Sequence, residues 1–353
     1  MSNTLDRIGF LIHNIEMFNH YRSVWQHLPA GSVEVAVTGQ QKDHQQIIET
    51  CEREKLPWRA AGELLSQKLR YDILVSSFPQ HYERGSDSPY LTQSIGQHNL
   101  RFMYATGKAG WNFQQWNEVY DAILCFGPYQ AEQLDFCRDT LKVQMGYPRF
   151  DRFFNQPIDR AKRLIELGCD PARKTVVWLP TWKTLCSVDL FVTAIAALQD
   201  RYNVIVKPHP ITITDEPARM RQLQAINACI KEHIDNVELF QLADYLLCDY
   251  GGSAFGGIYT DRNVLLLDMP HAESDPLVGK DSSDIWLRQV MPHISAENVD
   301  RLPELLADEQ LWEQQRSVRR QLSQYFFAPF HGFAAQVAAL AIANSPKMLN
   351  KGR

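Results

Sequence analysis

The stretch Leu247–Gly257 reads LCDYGGSAFGG. Its apolar start predicts a buried strand, the adjacent glycines predict a tight turn, and the residues that follow predict a helix. Gly251 and Gly252 would let the backbone approach a ligand closely, and Ser253 is a natural N-cap. Free N–H groups at a helix start bind phosphate oxygens. The glycines fit a purely structural turn equally well, but the preceding Asp249-Tyr250 pair favours a binding turn.

Eight other apolar runs have the length and composition of buried parallel strands, with helical patterns between most of them. The runs lie at residues 8–15, 33–38, 71–77, 102–105, 122–126, 175–179, 203–207 and 264–268. Strands that alternate with helices predict βαβ units and parallel sheets. We therefore predict an α/β protein of two doubly wound, Rossmann-like domains that face each other across a cleft. Their bounds are 1–155 and 156–325, and residues 326–353 carry a helix, about Phe333–Ala343, that crosses back to the first domain.

Composition narrows the classes of function. The net charge of −5 argues against a broad nucleic-acid surface. No apolar run approaches the roughly 18 residues that span a bilayer, and the polar N-terminus lacks the features of a signal peptide. The seven cysteines form no C-x-x-C pair, which favours reduced thiols and a cytoplasmic location. Arg316, Arg319 and Arg320 form a basic patch, which is either a peripheral membrane contact or a solvated helix face.

A second segment, Val204–Pro210, reads VIVKPHP and predicts a strand that ends in a cation and a histidine. Pro208 and Pro210 fix the backbone, so the imidazole of His209 has a defined direction. Together with Lys207 it could neutralise a diphosphate and assist its departure. The alternative is a surface loop with an incidental histidine, and we favour the functional interpretation.

A third segment, Val177–Lys183, reads VWLPTWK and predicts a strand that ends at the same edge of the sheet. Thr181 and Lys183 are candidates for contact with phosphate. Trp178 and Trp182 could pack on a nucleotide base, but we expect both in the core.

The first domain offers weaker candidates. His13 and His20 follow the first predicted strand and could act as general base on an acceptor hydroxyl, although a structural role fits equally well. Lys108, in a glycine-bounded loop, either faces a bound ligand or has only a structural role in the turn. Arg149 and Asp151 follow another predicted strand end and are the weakest candidates for the cleft.

Metal and cofactor patterns are missing from the sequence. His209, His233 and His271 lack zinc-site spacing, and no D-x-D follows a strand to hold a metal–diphosphate pair. The chain has no Walker loop, no nucleophile elbow and no G-x-G-x-x-G turn for a nicotinamide. We therefore expect an enzyme without metal or cofactor, in which lysine, histidine and helix N-termini neutralise a nucleotide-diphosphate substrate.

Four motifs follow one another along the chain: GYPRFD (146–151), PTW (180–182), KPHP (207–210) and DYGGS (249–253). In this order they resemble the motifs of the CDP-glycerol glycerophosphotransferase family. The family shows G-N-P-R-x-D, P-T-[WF]-R, K-x-H-P and D-Y-S-S at these places. The resemblance covers residues 146–268 well and the first domain poorly.

The resemblance implies a GT-B fold whose second domain holds most of the donor. It implies transfer of glycerol phosphate, or a related polyol phosphate, from a CDP-activated donor to a cell-surface polymer or lipid-linked glycan. His209 would face the donor phosphates and the 249–253 turn would bind them, while His20 or His13 would activate the acceptor. The donor-binding candidates are Thr181, Lys183, Lys207, Asp249, Tyr250, Gly251, Gly252 and Ser253.

Departures from the family pattern keep two other functions open. Glycines replace the serines of D-Y-S-S, Thr106 stands where the family has the histidine of W-H-G, and the late D-G-x-A-x-x-R loses its arginine. A GT-B glycosyltransferase or epimerase that uses a nucleotide sugar is one alternative, because the glycine pair resembles the S-G-G turn of UDP-N-acetylglucosamine 2-epimerases. A non-catalytic nucleotide-binding partner in a polymer-export complex is the other.

Overall fold

A computed structural model describes residues 4–39, 41–81, 89–226, 228–232 and 234–351. The chain divides into two compact units. Unit 1 comprises Met1–Tyr104, Phe113–Asp151 and Phe326–Arg353, and unit 2 comprises Ala105–Asn112 and Arg152–Tyr325. The short segment Ala105–Asn112, which the sequence placed in the first domain, thus folds with unit 2.

Strands and helices alternate along the whole chain. The strands are β1 (Thr4–Ile12), β2 (Val33–Val37), β3 (Trp58–Ala60), β4 (Arg70–Ser76), β5 (Gly96–Phe102), β6 (Ala122–Cys125), β7 (Leu141–Gln144), β8 (Thr175–Leu179), β9 (Asn203–Val206), β10 (Cys229–Ile230), β11 (Tyr245–Cys248), β12 (Asn263–Leu267) and β13 (His293–Ile294). The helices are α1 (Met17–Trp25), α2 (Gln41–Glu54), α3 (Ala61–Ser66), α4 (Leu91–Ile95), α5 (Ala109–Asn112), α6 (Pro128–Gln133), α7 (Asp151–Asn155), α8 (Arg160–Glu166), α9 (Val188–Ala197), α10 (Pro210–Asp215), α11 (Pro217–Ala225), α12 (Asn236–Leu242), α13 (Gly252–Tyr259), α14 (Ser283–Trp286), α15 (Leu302–Ala307), α16 (Glu309–Phe326) and α17 (Ala334–Lys351).

Unit 1 is built on a seven-stranded sheet of order β3-β2-β1-β4-β5-β6-β7. Every described pairing is parallel. The central strands are apolar and buried because helices cover both faces of a doubly wound sheet. The last helix, α17, packs against α1 and against β4, β5 and β6 of this unit.

Unit 2 is built on a six-stranded sheet of order β10-β9-β8-β11-β12-β13, again with parallel pairings throughout the described residues. Its core includes Trp178, Phe191, Leu247 and Leu265, each fully or almost fully buried. The strand order places the carboxyl ends of β9, β8 and β11 side by side. In such sheets ligands bind outside these ends.

The α/β class with two parallel sheets is confirmed, and the structure corrects details of the prediction. The fourth predicted strand, 102–105, lies upstream as β5. The strands β3, β10 and β13 were not predicted because they have two or three residues, and β7 was not predicted because it is an edge strand whose residues are not buried. The predicted final helix, Phe333–Ala343, continues to Lys351 through Pro346.

Candidate functional site

The three motifs of the second half of the chain come together at one edge of the unit 2 sheet. PTW follows β8, KPHP follows β9 and DYGGS follows β11, and β8 pairs with both other strands. In the register of this sheet, Trp178 lies opposite Val206, and Leu179 lies opposite Cys248. Segments that are far apart along the chain therefore form one candidate site.

Asp249 organises the backbone of this edge. Its carboxylate accepts hydrogen bonds from the N–H of Thr181 (3.0 and 2.9 Å), from the N–H and hydroxyl of Ser187 (both 2.9 Å) and from the N–H of Tyr250 (2.9 Å). Burial raises the pKa of Asp249 to about 6, and these hydrogen bonds oppose the rise. The side chain is only 3% exposed. Asp249 thus holds the loops of the site in place, rather than presenting its carboxylate to a ligand.

The glycine turn adopts a backbone conformation that only glycine takes readily. Gly251 has φ +143° and is the N-cap residue of α13. The Lys108 Cε and the Thr181 Oγ1 lie 4.0 Å from the place that a Cβ on Gly251 would occupy. The turn therefore opens toward a lysine and a threonine, with the first N–H groups of an eight-residue helix beside them.

Ser253 is not the N-cap, because the helix begins one residue earlier, at Gly252. Its hydroxyl makes no hydrogen bond to any residue that the structure describes, and the residue is half-buried. The side chain stands in the first turn of α13. Hydroxyl and N–H donors at a helix start are groups that phosphate oxygens bind.

His209 caps α10 with its imidazole. Its Nδ1 accepts a hydrogen bond from the N–H of Ile211 at 3.2 Å. The neutral ring therefore carries its proton on Nε2. In this state His209 acts as a hydrogen-bond donor on its Nε2 side, which suits an anionic partner.

The indole of Trp182 connects the basic groups of the site. The ring centroids of Trp182 and His209 are 5.9 Å apart, and the Nζ atoms of Lys108 and Lys183 lie 5.3 and 4.6 Å from the indole centroid. Trp182 is half-buried at the site, whereas Trp178 is fully buried, with its Nε1 donating to Ser187 Oγ. The expectation of a core position holds for Trp178 and is wrong for Trp182.

Other donor-site candidates have partners within unit 2. Lys207 Nζ donates to Asn236 Oδ1 at 2.8 Å. Tyr250 is buried, and the guanidinium of Arg288 lies 3.7 Å from its ring centroid. We therefore interpret Tyr250 as a packing residue of the turn. Lys183, at φ +54°, donates its N–H to Glu216 and keeps its side chain exposed.

Asp284 joins the Lys108 loop to the glycine turn. Its carboxylate accepts hydrogen bonds from the N–H of Lys108 (2.6 Å), the N–H of Gly251 (3.1 Å) and the hydroxyl of Ser282 (2.9 Å). A Cβ added at Gly107 would overlap this carboxylate. The sequence analysis did not identify Asp284, although the sequence SSD at a helix start was a usable signal for a capping cluster.

In unit 1, the two candidate histidines follow β1. Burial lowers the pKa of His13 to about 4, and its Nε2 lies 2.7 Å from Asn14 Nδ2. His20 is 6% exposed, and burial followed by the charge of Arg149 lowers its pKa well below the usual value. Both rings are therefore neutral at pH 7, and His13 is the more accessible of the two.

Asp151 is tied to α17. Its carboxylate accepts the N–H groups of Ala334 (3.1 Å) and Ala335 (2.7 Å), where it stabilises the start of this helix. Burial raises its pKa to about 6. The structure thus gives Asp151 a helix-capping contact in unit 1. Arg149 lies near His20, and the Nε atom of Arg149 is buried.

Within the described residues, no group of histidine, cysteine, aspartate or glutamate has the geometry of a metal site. His233, one of the three histidines considered for a zinc site, lies outside the described residues.

Residues 101–272 match the model of a protein family, CDP-glycerol:poly(glycerophosphate) glycerophosphotransferase. The resemblance to this family is thereby confirmed. The match to the glycerophosphotransferase model spans the Lys108 loop and all three motifs of the unit 2 site. No curated protein sequence matches the chain.

Solved structures with the same fold include a wall teichoic acid polymerase and a protein described as an epimerase. The wall teichoic acid polymerase TagF has a TM-score of 0.64 at 14% identity, over 98% of this chain and 90% of that chain. A protein from Listeria monocytogenes described as a UDP-N-acetylglucosamine 2-epimerase has a TM-score of 0.66 at 12% identity, over 97% and 96%. MnaA of S. aureus, in complex with UDP, has a TM-score of 0.63 at 12% identity, over 98% of both chains. These similarities confirm the GT-B fold.

The described part of the chain contains no helix with the length and apolar character needed to cross a membrane.

Proposed function

We propose that this chain is a transferase that moves glycerol phosphate, or a related polyol phosphate, from a CDP-activated donor to a cell-surface polymer or lipid-linked glycan. One observation carries the proposal. The PTW, KPHP and DYGGS motifs lie on adjacent strand ends of unit 2, within the segment that matches the glycerophosphotransferase family. A variant of TagF has been soaked with CDPG, which supports the donor class.

We assign the donor diphosphate to the glycine turn and its neighbours. The N–H groups at the start of α13, the Ser253 hydroxyl and the basic side chains around Trp182 supply donors and positive charge. In this proposal the acceptor hydroxyl attacks the β-phosphorus of the donor, the bond to the α-phosphate breaks, and His209 donates from Nε2 to the departing CMP and stabilises its developing charge.

The acceptor hydroxyl needs a base. Of the two unit 1 candidates, His13 fits better, because His20 is buried. A base with a pKa of about 4 is unprotonated throughout the neutral range, although its low basicity limits its proton affinity.

Metal independence is part of the proposal, because lysine, imidazole and helix N–H groups take the place of a cation at the diphosphate. Turnover should be unchanged by EDTA. A large loss that magnesium or manganese restores would refute this part.

We also propose a peripheral membrane contact through α16, with two of the three predicted arginines. Arg316 and Arg320 are exposed, whereas Arg319 is buried and paired with Asp261 at 3.0 Å. The double variant Arg316→Gln/Arg320→Gln should sediment less with anionic vesicles than the wild type. Equal sedimentation would leave these residues as a solvated helix face.

The central test is transfer of labelled glycerol phosphate from CDP-glycerol to a poly(glycerophosphate) primer, with CMP release as the second readout. Binding of CDP, UDP and GDP is compared by thermal shift, because a nucleotide that binds the native state raises Tm. We expect transfer and the largest shift with CDP. Preference for UDP without glycerol phosphate transfer would favour the nucleotide-sugar alternative, and binding without turnover would favour a non-catalytic partner.

A further inference from the structure

Lys108 is one of two lysines of unit 2, with Lys183, whose backbone is held in an unfavourable conformation. Its φ is +58°, in the left-handed region that is unfavourable for a residue other than glycine. Its N–H and that of Gly251 both donate to the carboxylate of Asp284. One carboxylate therefore fixes the lysine loop and the glycine turn relative to each other.

The side chain of Lys108 points along the glycine turn. Its Cε lies 4.0 Å from the Cβ position that Gly251 leaves open, and its Nζ lies 5.3 Å from the Trp182 centroid. Within the described residues the ammonium group has no ion pair and no hydrogen bond. Burial lowers the pKa of Lys108, while nearby carboxylates oppose this shift.

The neighbouring carboxylates are already occupied. Asp249 accepts bonds from Thr181, Ser187 and Tyr250, and Asp284 accepts three as described above. Asp275 accepts from the hydroxyl of Thr184 and the N–H of Leu277. These carboxylates neutralise charge around the turn, but none of them forms an ion pair with Lys108 that an incoming anion would have to break.

We propose that Lys108 binds a phosphoryl group of the donor at the Gly251 turn, and that Asp284 is the positioning residue that holds it there. This inference rests on the proposed function only in that the ligand is a nucleoside diphosphate. Gly107 contributes by leaving room for the Asp284 carboxylate.

The experiment measures Kd by calorimetry for CDP and for cytidine, which lacks phosphate. Lys108→Met should weaken CDP binding roughly 10- to 100-fold, the usual contribution of a charge-assisted hydrogen bond, and leave cytidine binding unchanged. The matched control is Lys68→Met, because Lys68 has φ +55° and is exposed in unit 1. An equal loss for CDP and cytidine, or no loss, would overturn the proposal.

Asp284→Asn tests the positioning role through a double-mutant cycle. If Asp284 acts through Lys108, the double variant Lys108→Met/Asp284→Asn binds CDP no more weakly than Lys108→Met alone. Losses that multiply would overturn this role. Circular dichroism checks that each variant is folded, and Lys108→Met tests the ligand contact even if Asp284→Asn does not fold.

The two proposals fail in different ways. If the wild type binds UDP or GDP but not CDP, the CDP-glycerol donor is wrong, and Lys108→Met is measured with the nucleotide that binds. If none of the three binds, the glycine turn is not a diphosphate site and the role of Lys108 is refuted.

Discussion

The Asp249 carboxylate accepts the backbone N–H of Thr181 at 3.0 and 2.9 Å. This hydrogen bond joins the motif after β8 to the motif after β11. The conformation of one motif therefore depends on a side chain of the other.

Asp249→Asn should lower the free energy of unfolding by about 1–3 kcal/mol, because an amide nitrogen would face a buried N–H that loses its acceptor. Urea denaturation measures this loss, and CDP affinity should fall as well. Asp281→Asn is the control, since Asp281 is exposed on the same unit. Equal stability of the two variants would contradict the organising role of Asp249.

Gly251→Ala should reduce both stability and CDP affinity. A side chain at φ +143° costs about 1–3 kcal/mol in strain, and the Cβ would enter the space beside Lys108 and Thr181. Gly168→Ala is the matched control, because Gly168 has φ +79° and no atom within 4 Å of the added Cβ. It should lose stability and keep its CDP affinity. Loss of CDP affinity in both variants would show that strain alone disturbs the site.

His209→Ala should lower turnover by roughly 10²–10⁴-fold, the range for a positioned acid or base, and cost about 1 kcal/mol through loss of the α10 cap. His209→Asn separates the two effects, because asparagine is a good N-cap without an imidazole. It should recover the stability, measured by thermal denaturation, but not the turnover. Wild-type turnover in His209→Asn would reduce His209 to a capping residue.

His13 should make the fold sensitive to acid. Its pKa is about 4 when folded and near 6.5 when unfolded, so below pH 6.5 the unfolded state binds the proton more readily. This contribution to stability is present above pH 6.5 and is lost as the pH falls toward 4. In His13→Gln, urea denaturation should show a smaller loss of stability between pH 7 and pH 5 than in the wild type. An unchanged loss would mean that His13 is not buried as described.

The sequence predicted the long apolar strands well, because residues such as Val176, Val177 and Leu247 can only be buried between two layers of helices. It did not predict β3 or β13, since a strand of two or three residues has no period to recognise and depends on its neighbour for pairing. The motifs of the site were recognised from local signals. The role of Trp182 could not be, because a tryptophan after a strand looks the same whether its ring enters the core or the site.

Contacts between distant segments account for the remaining differences. Ser253 satisfies every local rule for an N-cap, yet Asp284, more than thirty residues away, accepts the N–H of Gly251, and Gly251 is the N-cap, so the helix begins two residues earlier than predicted. Similarly, the sequence places Asp151 in a site motif, but in the structure its carboxylate accepts the N–H groups of Ala334 and Ala335, which lie far along the chain.

The division of the chain into segments has a consequence for synthesis on the ribosome. Apart from Ala105–Asn112, unit 2 is formed by the continuous stretch Arg152–Tyr325, so all its strands have emerged before the chain is finished. Unit 1 begins first but receives α17 last, and until then Asp151 lacks the N–H groups of Ala334 and Ala335. The unit whose strands come first in this sequence therefore completes its packing last.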